Sequence, residues 1–443
     1  MEEEHAEPFK EGSDLCQQLM DRYANSAAPQ HRHLLATAAA LRSNLAAESL
    51  PLTPPAYFAA AISALDATEA LDPVALSALV SFMSIALPLV PPGGITAPKS
   101  HEAAEILVAV LTREGEELGA ACVRATVKCL GVLIAFCDLE DWDGIKLGFE
   151  TLLKFSICKR PKVRRCAQES VEKVFKFIRS STVTKEASKL VLSELKSCCA
   201  LALKLNALRT VDECKEDKVL KHEHLDVLHV LNLINLIAPY LSTKVILKVL
   251  SEVHKLFSFM FSELARHTLK TIEAIFEALR IKNKVLETED VVVSLTSFVS
   301  LRDKNPLDAV ILAAKLLRLA MDLLYNGQSS LWVKNLPPVC RSVMGLLTLD
   351  GNTASQASSI LNDVLKHHIS PLSMLMGTDQ TSHDSSLEGV KADAIKSTCA
   401  VFESALSSID GIPNEHVLSV ISVLFLELVE AVTGVDEECR VGG

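Results

Sequence analysis

Val123-Arg124-Ala125-Thr126-Val127 and Val163-Arg164-Arg165-Cys166-Ala167 share a Val-Arg-x-x-apolar core, and their arginines stand 40 residues apart. Between them, Asp141 is a natural N-cap, a short side chain whose oxygen accepts a hydrogen bond from the first free amides of a helix. Ile145, Phe149, Leu152 and Ser156 follow at the three- and four-residue spacing that lines one helical face. One unit therefore reads as helix, turn, helix, and then repeats.

The same stripe returns downstream at Ala265, Leu269, Ile272, Phe276 and Leu279, with Ala265-Arg266 in the Val-Arg place. Another runs Val310, Ala314, Leu317, Met321, Leu324. Asn305 is its expected N-cap, Pro306 its first helical residue, Asp308 sits in its first turn and Asn326-Gly327 marks its end. A unit of about 40–47 residues is the period of HEAT and armadillo hairpins, which bury their apolar faces only by stacking on neighbours. The expected class is all-α, an α-solenoid of HEAT/ARM-like helical hairpins running continuously over residues 1–443. Flexible segments are expected at 1–11, 91–100, 210–223, 377–389 and 436–443, where polar, Gly or Pro residues interrupt the pattern. Val291-Val292-Val293 is the best strand candidate, yet it lies inside a helical pattern.

Composition agrees with stacked helices. Of 443 residues 49% are hydrophobic but only 5% aromatic, and Gly numbers 17, whereas sheets draw on β-branched and aromatic residues and Gly-rich turns. Val74 to Val90 carries no charge, but it contains Ser77, Ser81, Ser84 and Pro88 and lacks basic flanks, so it reads as a buried helix and no membrane contact is expected. The start, Met1-Glu2-Glu3-Glu4-His5, lacks the basic-then-apolar order of a secretory signal. The 12 cysteines form no CxxC pair, and Cys122, Cys129 and Cys137 fall in apolar runs, as reduced core thiols do. The apolar helix around Val417 to Val429 is followed by only a short tail, Asp436 to Gly443, which reads as a fragment or a shortened product because solenoids end in polar caps.

Catalytic signatures are missing: there is no phosphate loop, GxGxxG, HExxH, GxSxG or kinase set, so neither an enzyme nor a cofactor nor a small-molecule substrate is expected. His31-Arg32-His33, His222-Glu223-His224 and His367-His368 resemble metal ligands only superficially. Residues one or two apart on a helix point to different faces, so these read as solvated histidines and Cys198-Cys199 as part of a helix face.

The net charge of -11 makes protein partners the first expectation. Against that background, residues 154–179 hold nine basic groups and two acidic ones, Glu169 and Glu172. The candidate contacts for RNA or an acidic partner are Lys154, Lys159, Arg160, Lys162, Arg164, Arg165, Lys173 and Lys176, with Arg179 at the end of the run. Pro161 suits the first turn of a helix, so the charges gather around a turn and the helix it opens. Two readings stay open: a phosphate-binding surface, or basic residues that bond neighbouring repeats, cap carbonyls or face solvent.

The segments 14–23 (Asp14-Leu15-Cys16-Gln17-Gln18-Leu19-Met20-Asp21-Arg22-Tyr23) and 28–40 (Ala28-Pro29-Gln30-His31-Arg32-His33 and the Ala-rich run that follows) resemble the N-terminal region of the ribosomal RNA-processing protein twelve family in its plant-like form. Lys159-Arg160-Pro161-Lys162-Val163-Arg164 and Glu263-Leu264-Ala265-Arg266-His267 are similar to stretches of the same family. The resemblance implies a HEAT/armadillo solenoid of the nucleus and nucleolus, associated with pre-ribosomal proteins and pre-rRNA, supporting small-subunit RNA maturation and export. It also implies members longer than this chain, with a central domain and a basic C-terminal region, most or all of which is expected to lie outside this sequence, and this bears on RNA affinity and nuclear targeting. The expected role is a non-catalytic scaffold with a concave helical surface for partners. The alternative is a transport-receptor-like or phosphatase-scaffold HEAT protein that binds only proteins.

Overall fold

Helix boundaries follow local chemistry. Pro29, Pro54, Pro73 and Pro161 each open a helix at its first position, where the missing amide is no loss. Asp14, Asp72 and Asp141 cap theirs by accepting from backbone amides one or two residues inside. Ser49 and Asn283 adopt positive φ, 54° and 49°, and turn the chain out of the preceding helices. There Leu50 N–H closes on Leu45 O at 2.8 Å and Lys284 N–H on Leu279 O at 2.9 Å.

The computed structural model describes Phe9, residues 14–377 except 68–71, 115–117, 210–219, 259–261, 326–328 and 350, and scattered positions between 400 and 426. The described chain is helical, without a strand among the described residues. Its contacts divide it into two units, residues 1–246 and 247–443. The expected breaks at 1–11, 377–389 and 436–443, and the end signal Asn326-Gly327, lie outside the described residues except for Phe9 and for Gly377, which is helical.

In the first unit, α1 (Leu15–Tyr23) leads into α2 (Pro29–Ala47), α3 (Pro54–Asp66), α4 (Pro73–Ala86), α5 (Ala97–Glu114), α6 (Ala120–Ile134), α7 (Trp142–Phe155), α8 (Pro161–Phe177), α9 (Ser181–Arg209) and α10 (Leu220–Ile237). Helices α2, α4, α6, α8 and α10 touch in series, forming one layer, and α3, α5, α7 and α9 form a second. This is the stacking expected of an α-solenoid built from helical hairpins. α11 (Thr243–Ser258) contains the division between the units. In the second unit, α12 (Ser262–Ile281), α14 (Leu307–Tyr325) and α16 (Gly351–Gly377) make one row, and α13 (Asp290–Ser300) and α15 (Ser329–Met344) the other.

The predicted stripes are buried: Ile145, Phe149, Leu152 and Ser156, then Ala265 through Leu279, then Val310 through Leu324. Val74–Val90 forms α4 and a short 3-10 turn with Leu76, Val80, Phe82, Met83 and Leu87 in the core, and no described helix is long and apolar enough to cross a membrane. Val291-Val292-Val293 is helical, in α13.

Three local expectations are corrected. The break at 91–100 ends at Thr96, because Ala97–Ser100 already form the first turn of α5, where Ser100 is buried and its hydroxyl donates to Leu133 O at 2.7 Å. Likewise, Leu220–Glu223 of the expected 210–223 break belong to α10, while 210–219 fall outside the described residues. Asn305 does not cap α14: its amide donates to Phe298 O and Leu301 O, both at 3.1 Å, and the helix begins at Leu307, one residue after the expected Pro306, whose carbonyl accepts from Ala309 and Val310.

Between repeats the joints are specific. The Val-Arg position of α12 places Arg266 3.1 Å from Asp308 at the start of α14, and Arg318 of α14 lies 3.3 Å from Asp363 of α16. In the first unit Cys129 Sγ points to Val80 O and Cys166 Sγ to Arg124 O, each thiol reaching the preceding helix of its row. Burial raises the thiols of Cys16, Cys129, Cys137, Cys166, Cys198 and Cys340, Cys129 and Cys340 to about 12, and no disulfide joins the nine cysteines among the described residues.

Candidate nucleic-acid interface

α6 is enclosed by α4 and α8 in its own row and by α5 and α7 behind it. Ten of its fifteen residues are buried, and its exposed charged positions are Arg124 and Lys128, one turn apart. On α8, Val163, Ala167, Ser170, Val171 and Val174 face inward, which turns Lys162, Arg165, Glu169, Lys173 and Lys176 outward along one stripe. The two stripes adjoin because α6 and α8 pack closely: at Gly131 an added Cβ would fall 2.4 Å from Ser170 Oγ.

Cys166, half-buried between these helices, registers the cluster electrostatically. Its thiol is raised first by burial and then by Glu169, while Lys128, Arg124 and Lys173 pull it the other way. Three cations from two consecutive repeats thus converge on one surface, with Glu169 among them.

The structure separates the eight basic residues singled out from the sequence. Arg160 donates from Nη1 to Leu118 O at 2.8 Å, tying the start of α8 to the segment that leads into α6. Arg164 donates to Cys158 O at 2.9 Å within the turn that precedes its own helix. Arg160 thus links neighbouring repeats, and Arg164 binds a carbonyl of its own hairpin. Lys176 lies 2.7 Å from Glu172, whose carboxylate raises its pKa, and reaches toward the Tyr240 ring. Lys154 sits on α7, in the second layer, away from the stripe. Lys159 is exposed in the turn before α8, and Lys162, Arg165 and Lys173 are exposed on it without an ion pair among the described residues.

Arg124, Lys128 and Phe177 were not read as part of this surface from the sequence. The 40-residue offset held the signal for the first two, since it sets Arg124 beside Arg164 and Lys128 beside Gln168. Phe177 follows Lys173 by four residues, on the outward side of α8, and is 51% exposed. Gln168 itself is buried and donates to Ser156 O at 2.9 Å and His229 O at 3.1 Å, clamping α8 to α10.

The other candidates are structural. His31 is half-buried rather than solvated, its Nδ1 2.6 Å from Ser26 Oγ and its ring 4.1 Å from that of Tyr23. Cys198 and Cys199 are buried on α9, and burial pushes Cys198 up to about 12. The side chains of His222, His367 and His368 lie outside the described residues. No group of three or more His, Cys, Asp or Glu among the described residues is placed to hold a metal.

A family comparison agrees with this architecture. The family model described as "RRP12-like, N-terminal HEAT repeats" matches residues 1–283. The human RRP12-like protein is 25% identical over 160 residues, and the chicken RRP12-like protein 25% over 154. These stretches cover 35% and 34% of this chain but 12% of each relative's own length. Among solved structures, an engineered protein aligns over 94% of this chain and 98% of its own at 15% identity and a TM-score of 0.38. A circular tandem repeat protein aligns over 97% and 98% at 13% identity and a TM-score of 0.32. With the family match covering well over half of its residues, the chain belongs to the RRP12-like family, through that family's N-terminal HEAT repeats.

Proposed function

We propose that the chain is a non-catalytic scaffold in ribosome biogenesis, which associates with pre-ribosomal particles and supports rRNA processing and the maturation and export of the small subunit. On this reading it works in the nucleus and nucleolus, and its partners are pre-ribosomal proteins and pre-rRNA. The observation that carries the reading is the family match over residues 1–283. The exposed cations of α6 and α8 give it a surface: Arg124, Lys128, Lys162, Arg165 and Lys173 meet phosphates. Each phosphate neutralised releases counterions, so a small cationic stripe holds RNA even on a chain of net charge -11. The remaining surface, acidic on balance, is left for protein partners.

Capture of the tagged full chain from cells, followed by mass spectrometry and RNA sequencing, tests the proposal. Recovery of ribosome assembly factors with pre-rRNA, reduced by the Lys162→Glu, Arg165→Glu, Lys173→Glu triple variant, supports it. Recovery of transport cargo or phosphatase subunits without pre-rRNA refutes it in favour of a protein-only HEAT scaffold.

A further inference from the structure

With one exception, the aromatic rings described in the first unit are buried or partly covered, Tyr23, Phe136, Trp142, Phe155 and Tyr240 among the latter. Tyr57, Phe82 and Phe149 are fully buried, and Phe58 and Phe175 nearly so. Phe177 is the exception, the one exposed aromatic among the described residues of that unit. It stands in the last turn of α8, one turn beyond Lys173, with exposed Arg179 just past the helix end. The single exposed ring described in this unit therefore coincides with the basic stripe.

We propose that Phe177 is a base-stacking platform at one end of a single-stranded RNA track, whose phosphates run along Lys162, Arg165 and Lys173 of α8 and Arg124 and Lys128 of α6. The inference rests on the reading that this face meets RNA, and it specifies which kind. Lys162 and Phe177 are fifteen residues apart on α8, a rise of about 22 Å. At about 3.4 Å per phosphate that length accommodates roughly six nucleotides of a stacked strand. Cations alone track any polyanion, duplex or acidic peptide included. A ring open to solvent beside them adds a contact that an unpaired base can use and a base inside a duplex cannot, because every base offers a π-face and paired bases keep theirs stacked.

The test uses the purified full chain and three probes at one ionic strength: an unstructured uridine-rich RNA of about twelve nucleotides, an RNA duplex of equal charge, and an oligo-glutamate peptide. Phe177→Ala weakens the unstructured RNA by about 5- to 150-fold and leaves the duplex within about twofold. Phe177→Leu behaves like Phe177→Ala, and Phe177→Tyr binds like the parent, because the ring rather than apolar area carries the contact. Unchanged binding of the unstructured RNA by Phe177→Ala, or equal loss on both RNAs, overturns the inference. Tighter binding of the peptide than of either RNA overturns it as well. The triple reversal at Lys162, Arg165 and Lys173 separates the two levels: no loss of RNA there removes the underlying reading, whereas loss there with Phe177→Ala unaffected removes only the platform. Melting curves of each variant matching the parent exclude misfolding as the cause.

Discussion

Gly131→Ala distinguishes tertiary packing from helix propensity by the sign of its effect. In an isolated helix the change is favourable by about 1 kcal/mol, since alanine loses less conformational entropy. In α6 the new Cβ would meet Ser170 Oγ at 2.4 Å and Ser170 Cβ at 2.5 Å. Carbon atoms settle at about 3.5–4.0 Å, so the two helices must part by roughly 1 Å. The Ser170 hydroxyl can rotate aside, but its Cβ is fixed to the α8 backbone, and α8 is held by Gln168 on its far side. Overpacking of this kind costs about 1–3 kcal/mol, and a site without room to relax sits at the upper end. Net destabilisation of about 2 kcal/mol is expected, read as a lower urea midpoint. Combining Gly131→Ala with Ser170→Gly removes the collision, so the double-mutant cycle should give a favourable coupling of about 2 kcal/mol. A Gly131→Ala protein as stable as the parent, with additive behaviour in the cycle, would refute the packing argument for α6 and α8.

Three histidines, His229 buried and His254 and His267 half-buried, set a pH response. Burial lowers the pKa of His229, His254 and His267, with Arg164 adding to the effect at His229 and Lys270 and Arg266 at His267, against Asp226 and Asp290 facing the first two. Their folded pKa values lie below the unfolded value of about 6.5, so below that pH the unfolded chain binds more protons and stability falls as pH drops. Glu194, whose carboxyl is raised by burial, acts in the opposite sense at one site against three. The urea midpoint should be lower at about pH 5.5 than at about pH 7.5, and His254→Gln should flatten the difference; a midpoint that rises toward acid contradicts the assignment. The basic cluster should also divide by stability. Arg164→Ala and Arg160→Ala, which lose hydrogen bonds to Cys158 O and Leu118 O, lower the unfolding free energy by about 1–3 kcal/mol each, read as a lower urea midpoint, whereas Lys162→Ala and Arg165→Ala stay within about 0.5 kcal/mol. Equal effects at all four positions would deny that distinction.

The periodic core was legible because period is a local property. Phe149 and Leu152 announce the inner face of α7, and Val310 to Leu324 that of α14, from spacing alone. Caps depend on which acceptor a side chain finds. Asp141 was readable because its partner, Asp143 N–H, is two residues away. Asn305 was not, because the end of α13 competes for its amide. The site was legible only in part for the same reason. A run of charge in sequence located α8 but could not tell Arg160 and Arg164, which turn back to carbonyls, from Lys162 and Arg165, which face solvent. Lys128 entered only through stacking, since a residue on the previous repeat becomes a neighbour when α6 and α8 meet. His31 was misjudged because Tyr23, on the preceding helix, packs on its ring.

Sedimentation of cell extracts through a sucrose gradient tests the central claim most directly, with the tagged chain compared against its Lys162→Glu, Arg165→Glu, Lys173→Glu variant. The chain should travel with pre-ribosomal particles, and the variant, with an unchanged melting curve, should move to the light fractions. A parent chain confined to the light fractions, or a variant that still travels with the particles, would contradict it.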